Sequence, residues 1–514
     1  MNRQDRIAVF ITATGLILSF PPFPMGLFAW GILVPFFHVI RHVKAREAFW
    51  SGYVAGLVWA CGTVYWIGTA TGIGLILALA VFPLFFGLFA LLQAGLCSRW
   101  GGSALWAAPF LWTGLEIIAS LGNVGFQWLS LAYTQTRYPL LIQYIPYTGT
   151  PGLTFWIVSV NTAAFFLIRS WREARAQTKK LAGLLAALFL VPAVYGLSIF
   201  SAPPPGGREI RISLIQGNID PYIKWSPDFM DSNFVIYEHL TRKAARNGPD
   251  LIVWPETAAP CYLRHRPRYL DRVRSFVDSL NIPLLTGAPD YVWIHPDTVH
   301  KYNAALFLRP DDYRIQTYYK MRLAPFSERV PFADQLPFLE SLAQKLSRDV
   351  GDYKPGGQVK VFDFEVPGTD GSAPFSAIIC FESIFPELVS SFVNAGAGFL
   401  VIITNDGWFG RTSGPYQHAQ AAVLRAVENR VWIARCANTG VSCFMDPLGR
   451  IVQKTRLGEA VSIEQAVRLN PHPGKSPWSR PLVKGIVLSG WAAGFAFSLI
   501  PPHSRKGRKG GSAT

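Results

Sequence analysis

The sequence predicts a polytopic bundle of about eight membrane-spanning helices joined to one α/β domain. Half of the 514 residues are apolar, only 16% are charged, and the mean hydropathy is +0.24. An ordinary soluble domain is roughly 25% charged. If the lower charge were spread evenly along the chain, every surface would be poorly solvated. The low charge therefore belongs to one part of the chain, and a membrane portion explains it.

Long apolar segments recur through the first 200 residues, separated by short polar breaks. Several are as long as the roughly 20 residues that cross the hydrocarbon core of a bilayer. The first resembles a signal peptide, but no small-residue cleavage site follows it, so we predict a retained helix. The predicted spans are residues 7–20, 25–40, 50–69, 74–97, 103–121, 148–168, 181–201 and 482–500.

The distribution of Lys and Arg predicts the orientation of these spans. Cytoplasmic loops retain positive charge, and with the N-terminus inside the short outer loops at 21–24, 70–73 and 122–147 contain Arg137 alone. Both termini are then cytoplasmic, and the large domain after the seventh span faces outward. The net charge of +16 is accordingly a topology signal, and we expect no nucleic-acid partner.

Residues 202–480 differ from the flanking segments, because charges of both signs are frequent and apolar residues alternate with period two. Strands alternating with helix-like stretches predict an α/β layered domain. This divides the chain into a seven-span bundle (1–201), an outer domain (202–480), and an eighth helix with a basic cytoplasmic tail (481–514). The predicted strands are EIRISLIQG, DLIVWPE, IPLLTGAP, YNAALFL, YRIQTYYK, FSAIICFE, FLVIITND and VSCFMD, and the predicted helices are 229–247, 267–280, 383–395 and 415–430.

Reactive side chains stand at the carboxyl ends of these strands, where active sites of α/β sheets form. The strand ends deliver Glu256, Lys320, Cys380 and the pair Asn405 and Asp406. Alone, each has an ordinary structural explanation as a turn acid, a surface cation or a core thiol. Together at equivalent positions they predict thiol chemistry. The six scattered cysteines form no metal motif, so neither a metal nor an organic cofactor is expected.

Four motifs resemble the nitrilase superfamily, which has an αββα sandwich and a Glu, Lys, Cys triad. They are WPET (254–257), YYKMRLAPFSE (318–328), IICFES (378–383) and TNDGWFG (404–410). The stretches GFQWLSLAYTQ (125–135) and GPYQHAQAAVLRAVENR (414–430) are similar to the apolipoprotein N-acyltransferase family, in which such a domain is joined to membrane helices. The resemblance covers nearly the whole chain.

The resemblance implies a role for each matching residue. Cys380 is the expected nucleophile, Glu256 the general base and Lys320 the cation that stabilises the oxyanion. Supporting residues are expected at Glu328, Glu382 and Asn303, and substrate contacts at Trp225 and Trp408. The chain departs from the family pattern at Phe381, where Tyr is common, and at Ser327, where Gly is common.

The implied reaction is a two-step acyl transfer without a cofactor. An acyl chain leaves a phospholipid, forms a thioester on Cys380, and passes to the α-amino group of the diacylglyceryl-cysteine at the N-terminus of an apolipoprotein. An apolar crevice beside the membrane would exclude water from this thioester. The resemblance implies a monomer in the bacterial inner membrane, with its catalytic domain in the periplasm and membrane lipid as a partner.

Two alternatives remain open on the sequence. A membrane-tethered nitrilase-type amidase or hydrolase would use the same triad and let water complete the reaction. A transporter or receptor would use the outer domain only for binding, but its spans should then carry midplane charges, and Glu116 is the main acid within them. The role of Glu116 and the pairing of Cys436 with Cys443 are not determined by the sequence.

Overall fold

The first part of the chain is a bundle of α-helices. The computed structural model describes residues 1–122, 125–173, 175–203, 207–332, 335, 351–366, 371–470 and 479–499. The bundle helices are α1 Arg3–Ser19, α2 Val34–Ile40, α3 Ala45–Thr63, α4 Ile67–Ala70, α5 Gly72–Trp100, α6 Ala108–Ala119, α7 Ile145–Glu173 and α8 Arg175–Ser201.

Every predicted span overlaps a helix, but the helices differ in length. In the described ranges, three are long and apolar enough to cross a membrane: Gly72–Trp100, Ile145–Trp171 and Ala176–Ser201. Shorter apolar helices occur at Gly26–Ile40 and Val483–Ala496. Helix α6 has only 12 residues, because a 3₁₀ turn occupies the first part of its apolar segment. The structure thus supports membrane helices without establishing a count of eight.

Residues 209–468 form the predicted α/β domain. Its helices are α9 Pro227–Ala245, α10 Pro267–Leu280, α11 Pro386–Asn394 and α12 Gly414–Asn429. Helix α13, Ser479–Leu499, follows the domain, and the predicted basic tail lies outside the described residues. The strands are β1 Glu209–Gln216, β2 Leu251–Val253, β3 Leu284–His295, β4 Thr298–Leu308, β5 Gln316–Tyr319, β6 Phe375–Ile379, β7 Phe399–Thr404, β8 Ile433–Ala437, β9 Cys443–Met445, β10 Ile451–Lys454 and β11 Val461–Arg468.

Two sheets pack face to face with helices on their outer faces. One has the order β11-β1-β2-β3-β4-β5 and the other β10-β9-β8-β7-β6. Apolar side chains from both sheets, such as Leu214 and Phe375, form one core between them. A second core joins the first sheet to α9 and α10. Strands β1 to β3 run parallel, as do β6 to β8, so their carboxyl ends lie together at one edge of each sheet.

All eight predicted strands and all four predicted helices are confirmed, with shifts of a few residues at their ends. Strands β8, β10 and β11 were not predicted. Strand β8 has the sequence IARCA, whose buried Arg435 obscures the apolar pattern. Strands β10 and β11 are largely half-exposed and carry polar residues, so their periodicity is weak.

Helix α12 joins the α/β domain to the bundle. Ala422 and Val423 pack in the core between the sheets and the domain helices, whereas Leu424 and Val427 pack in the core of the bundle. Gln417 on the same helix makes four buried hydrogen bonds to the bundle side. Its carbonyl oxygen accepts from the indoles of Trp66 and Trp128, and its amide donates to the carbonyls of Pro21 and Thr63.

Candidate active site

The three residues of the predicted triad lie together at the carboxyl edge of the sheets. The Lys320 Nζ lies 3.4 Å from Glu256 Oε1, and the charges of both groups act on the pKa of the Cys380 thiol. Glu256 and Lys320 are both buried. Gly287 on β3 lets the backbone of residues 255–257 approach, because a Cβ there would lie 2.6 Å from the Cα of Glu256.

Cys380 occupies a strained turn between β6 and the 3₁₀ turn Cys380–Ile384. Its φ is +53°, a conformation that side-chain-bearing residues seldom adopt and that concentrates at functional sites. Burial raises the pKa of the Cys380 thiol well above its ordinary value, and the Glu256 carboxylate raises it further, while Lys320 opposes the shift. The thiol is therefore neutral near pH 7 and needs a base to become a nucleophile.

Asn303 and Lys320 connect two carboxylates at the site. The Asn303 amide donates to Glu256 Oε1 at 2.7 Å and to Glu328 Oε1 at 2.8 Å. Lys320 forms a closer ion pair with Glu328, at 2.8 Å, than with Glu256. Burial alone would lower the pKa of Lys320, but Glu328 and Glu256 outweigh it and raise that pKa, which keeps the ammonium charged.

Glu382 fixes the loop after Lys320 to the turn that carries Cys380. Its Oε2 accepts from the backbone of Ile379 at 2.8 Å, and its Oε1 accepts from the Tyr318 hydroxyl at 2.7 Å and from the backbones of Met321 and Arg322. Burial raises the pKa of this fully buried carboxyl. All these donors are neutral, and none of them is the Cys380 thiol. Glu382 therefore joins the two loops.

The chain matches two known sequence families, one in each part. Residues 12–163 match the N-terminal domain of apolipoprotein N-acyltransferase, and residues 211–468 match carbon-nitrogen hydrolase. An apolipoprotein N-acyltransferase of Geobacter metallireducens is 38% identical over 491 residues, covering 93% of this chain and 92% of the relative. That of Chlorobaculum tepidum is 35% identical, covering 86% and 87%. The chain belongs to the apolipoprotein N-acyltransferase family.

Solved structures similar to the α/β domain come from the nitrilase superfamily. Nit3 of Saccharomyces cerevisiae is 21% identical, with a TM-score of 0.39 that covers 52% of this chain and 93% of Nit3. An amidase from a Nesterenkonia species is 19% identical, with a TM-score of 0.38 over 52% of this chain and 94% of the amidase.

In this family member, no described contact joins either predicted substrate tryptophan to a triad side chain. The Trp225 ring lies 5.5 Å from the ammonium of Lys224, and Lys224 donates to the backbone and hydroxyl of Thr257, the residue after Glu256. Trp408 packs edge-on against Tyr222 at 5.4 Å. Phe381 packs between the rings of Phe126 and Phe385, so an apolar ring suits that position.

A buried charged cluster behind Cys380 was not predicted. His418 Nδ1 lies 2.8 Å from Asp406 Oδ1, while its Nε2 lies 3.1 Å from the carbonyl oxygen of Cys380 and 3.0 Å from the Ser383 hydroxyl. Arg435 donates to the other oxygen of Asp406 at 2.8 Å. Burial would raise the pKa of Asp406, but Arg435 and His418 hold it well below its usual range. The motif GPYQHAQ contains His418, yet nothing in the sequence places it behind the thiol.

Lys224 was also missed as a titratable group at the site. It is fully buried, and burial lowers the pKa of its ammonium to about 7, with a partly opposing effect of the Glu256 charge. Thr257, which accepts its hydrogen bonds, has a φ of +50°. Lys224 therefore holds a strained residue directly after Glu256.

Two cavities lie near the turn that carries Cys380, one walled mainly by the bundle and the other by residues of the α/β domain. The first is lined by aromatic residues that include Phe86, Trp112 and Phe126, and Phe126 packs against Phe381, the residue after Cys380. Glu116 also lines it, but four neutral donors satisfy its carboxylate: Trp112, Ser130, Thr154 and the backbone of Leu131. The second cavity is lined by Met321 and Phe381, the residues that follow Lys320 and Cys380.

The remaining cysteines and acids form neither a disulfide nor a described metal site. Cys436 and Cys443 are both unpaired, and the Cys436 thiol donates to the carbonyls of Ile215 and Val253. Within the described ranges, no three His, Cys, Asp or Glu side chains are grouped as ligands of a metal ion.

Proposed function

We propose that this protein transfers an acyl chain from a phospholipid to the N-terminal cysteine of apolipoproteins through a thioester on Cys380. Its family membership supports N-acylation of lipoproteins. The observation that carries the mechanism is the meeting of Glu256, Lys320 and Cys380. Phe381, the residue after Cys380, packs against Phe126 on the wall of an aromatic cavity of the bundle.

In the first step, Glu256 takes the thiol proton of Cys380 as the sulfur attacks the ester carbonyl of the donor. Negative charge develops on the carbonyl oxygen, and the Lys320 ammonium stabilises it, an electrostatic contribution of about 3–4 kcal/mol in comparable sites. The ester C–O bond then breaks. The proton on Glu256 passes to the departing alkoxide, which leaves as a lysophospholipid and leaves the acyl chain on sulfur.

In the second step, the α-amino group of the diacylglyceryl-cysteine attacks the thioester. Glu256 accepts the proton that the amine loses, and Lys320 again stabilises the oxyanion. The C–S bond then breaks, and the proton passes from Glu256 to the departing sulfur, which returns the thiol and the free carboxylate. The product is an amide at the lipoprotein N-terminus. The aromatic cavity accommodates hydrocarbon and excludes water, so the amine competes for the thioester without hydrolysis.

Eight spans with both termini in the cytoplasm complete this proposal, with residues 202–480 as the catalytic domain on the periplasmic side of a bacterial inner membrane. The scarcity of Lys and Arg in the outer loops supports this orientation. The protein acts as a monomer in this scheme, since one chain supplies all three reacting groups. Glu328 and Asn303 position Glu256 and Lys320, and Trp225 and Trp408 contact substrate.

Intact-mass analysis tests the proposal. The purified protein is incubated with dipalmitoyl phospholipid, and we expect a palmitoyl adduct on the wild-type chain that a diacylated lipopeptide discharges as N-acyl product. Cys380→Ala should form no adduct, whereas Cys436→Ala, which removes an inert buried thiol, should form it normally. A palmitoyl adduct on Cys380→Ala, or discharge as free fatty acid in the presence of lipopeptide, would contradict the proposal.

A further inference from the structure

The second cavity, lined by Phe381 next to Cys380, carries positive charge that the proposed mechanism does not use. It is lined by Arg322 and Arg329 together with apolar residues such as Leu323, Phe381 and Phe385. No Asp or Glu occurs among its described lining residues. We name this space the arginine cavity.

Arg322 is held in a fixed relation to the thiol. Its backbone N–H donates to Glu382 Oε1 at 3.1 Å, and the other oxygen of the same carboxylate accepts from Ile379, which precedes Cys380. It also lies two residues after Lys320 on the same loop. The arginine cavity is therefore built into the turn that positions the reacting atoms.

The Arg322 guanidinium has neutral partners in the described part of the chain. Its Nη1 donates to the carbonyl of Gly122 at 3.1 Å, and its carbon lies 5.4 Å from the centre of the Phe385 ring. Arg322 is half-buried, so the group is partly dehydrated and still reachable from the cavity. A guanidinium in this setting gains most from an anion that accepts two parallel hydrogen bonds.

The hydrogen bond to Gly122 indicates where the Arg322 guanidinium lies relative to the membrane. Gly122 follows the end of α6 at Ala119, so Arg322 lies where the bundle meets the α/β domain. In the proposed topology this junction is the outer membrane surface, where phospholipid phosphates lie. Basic pockets at such a level recognise anionic headgroups.

We infer that Arg322 binds the phosphate of the phospholipid acyl donor while the donor ester lies at Cys380. The inference rests on the proposed function and identifies what the enzyme recognises in its first substrate. It makes the donor phosphate, rather than the acyl chain alone, a determinant of the first step.

The test compares two acyl donors that differ only in the phosphate. The full-length protein in mixed micelles is given dipalmitoyl phosphatidic acid or dipalmitoylglycerol, and thioester formation on Cys380 is followed by intact mass. For Arg322→Gln we expect the phospholipid concentration at half-maximal rate to rise about 10-fold or more, with the rate on dipalmitoylglycerol changed by less than about twofold. Arg322→Lys should be intermediate, because it keeps the charge and loses the planar fork.

Arg314→Gln is the matched control, since Arg314 is an exposed arginine of the same domain, and it should leave both donors unaffected. Equal losses on both donors with Arg322→Gln and Arg322→Lys would assign Arg322 to loop packing, and no loss on either donor would place the phosphate elsewhere. Both outcomes overturn the inference.

Inorganic phosphate should not inhibit the wild-type reaction; inhibition that Arg322→Gln abolishes would show a site for free phosphate instead. Absence of any adduct on the wild-type chain would contradict the proposed function itself.

Discussion

Glu256 in the α/β domain is buried and Glu116 in the membrane bundle is half-buried, and both accept several hydrogen bonds, yet their surroundings differ in kind. Among the described residues, the donors to Glu116 are neutral groups such as the Trp112 indole at 2.8 Å and the Thr154 hydroxyl at 2.7 Å. Glu256 shares the Lys320 ammonium with a second carboxylate and lies beside a thiol. Burial and hydrogen bonding alone therefore do not distinguish a structural acid from a reactive one. The decisive difference is a neighbouring group that can exchange a proton.

Glu382 shows that the distinction holds within the active site itself. It lies two residues from Cys380 in the sequence, but its donors are the Tyr318 hydroxyl and backbone N–H groups. By this criterion Glu382 belongs with Glu116, as an acid that joins two segments. Proximity to the thiol along the chain is thus a poor guide to chemical role.

Replacing each of the two glutamates by Gln tests the distinction most strongly. Glu256→Gln should lower the rate of thioester formation by about 10²–10⁴-fold, since it removes the base. Glu116→Gln should change that rate by no more than a few-fold. It should lower the apparent melting temperature, because an NH₂ group replaces one carboxylate oxygen and faces groups that are themselves donors. Single-turnover intact-mass measurements and thermal scans report the two effects. A large rate loss in Glu116→Gln at unchanged melting temperature would break the comparison.

The buried cluster of Asp406, His418 and Arg435 extends the test to His418, which contacts the backbone carbonyl of Cys380. His418→Phe should slow thioester formation by about 10–100-fold, because a small displacement of the strained turn misaligns the sulfur. His418→Gln should recover much of the rate, since its amide can still donate to the Cys380 carbonyl. Rapid-quench mass spectrometry measures both, and failure of the Gln variant to exceed the Phe variant would contradict this positioning role.

Glu382→Gln should mainly reduce stability. Its amide would place a donor against the N–H of Ile379 or of residues 321 and 322, at a cost of about 1–3 kcal/mol for the unsatisfied buried groups. The apparent melting temperature should fall, while Glu459→Gln, a change at an exposed acid, should not alter it. An unchanged melting temperature for Glu382→Gln would show that this carboxylate does not join the two loops as described.

The pH dependence of thiol alkylation distinguishes the two charges beside Cys380. Burial and the Glu256 charge raise the pKa of the thiol, and Lys320 lowers it. Glu256→Gln should therefore lower the thiol pKa and move iodoacetamide alkylation to lower pH, while Lys320→Met should move it to higher pH. Shifts of the same sign in both variants would contradict the electrostatic arrangement.

Lys224 should give the stability of the protein a dependence on pH without a direct effect on the reacting groups. Its folded pKa of about 7 lies below its unfolded value of about 10.4, so between these pH values the unfolded chain binds more protons. Its contribution to stability should rise with pH through this window, by at most about 1.4 kcal/mol per pH unit, with the full cost of burying the ammonium present below pH 7. Lys224→Met should flatten that rise in thermal scans from pH 6 to 10, and an identical slope would contradict it.

Local patterns predicted the parts of the fold that have strong periodicity. The buried strands β6 and β7 read as apolar runs ending in Cys380 and in the Asn405–Asp406 pair. Strand β8 was missed because the partner that neutralises its buried Arg435 is Asp406, which is distant in the sequence. Gln417 and His418 are adjacent on α12, yet one binds the bundle and the other lies behind the thiol.

The sequence by itself determined an apolar helical part, an alternating α/β part, and the strand-end residues Glu256, Lys320 and Cys380, because periodicity and motif spacing are local properties. Only the tertiary structure decided that Glu328 is the closer partner of Lys320, that Glu116 and Glu382 have neutral donors, and that His418 and Arg322 adjoin the turn of Cys380. These features depend on which side chains from separate segments share a dehydrated space. No window of sequence contains that information, since it arises when the two sheets and the bundle pack together.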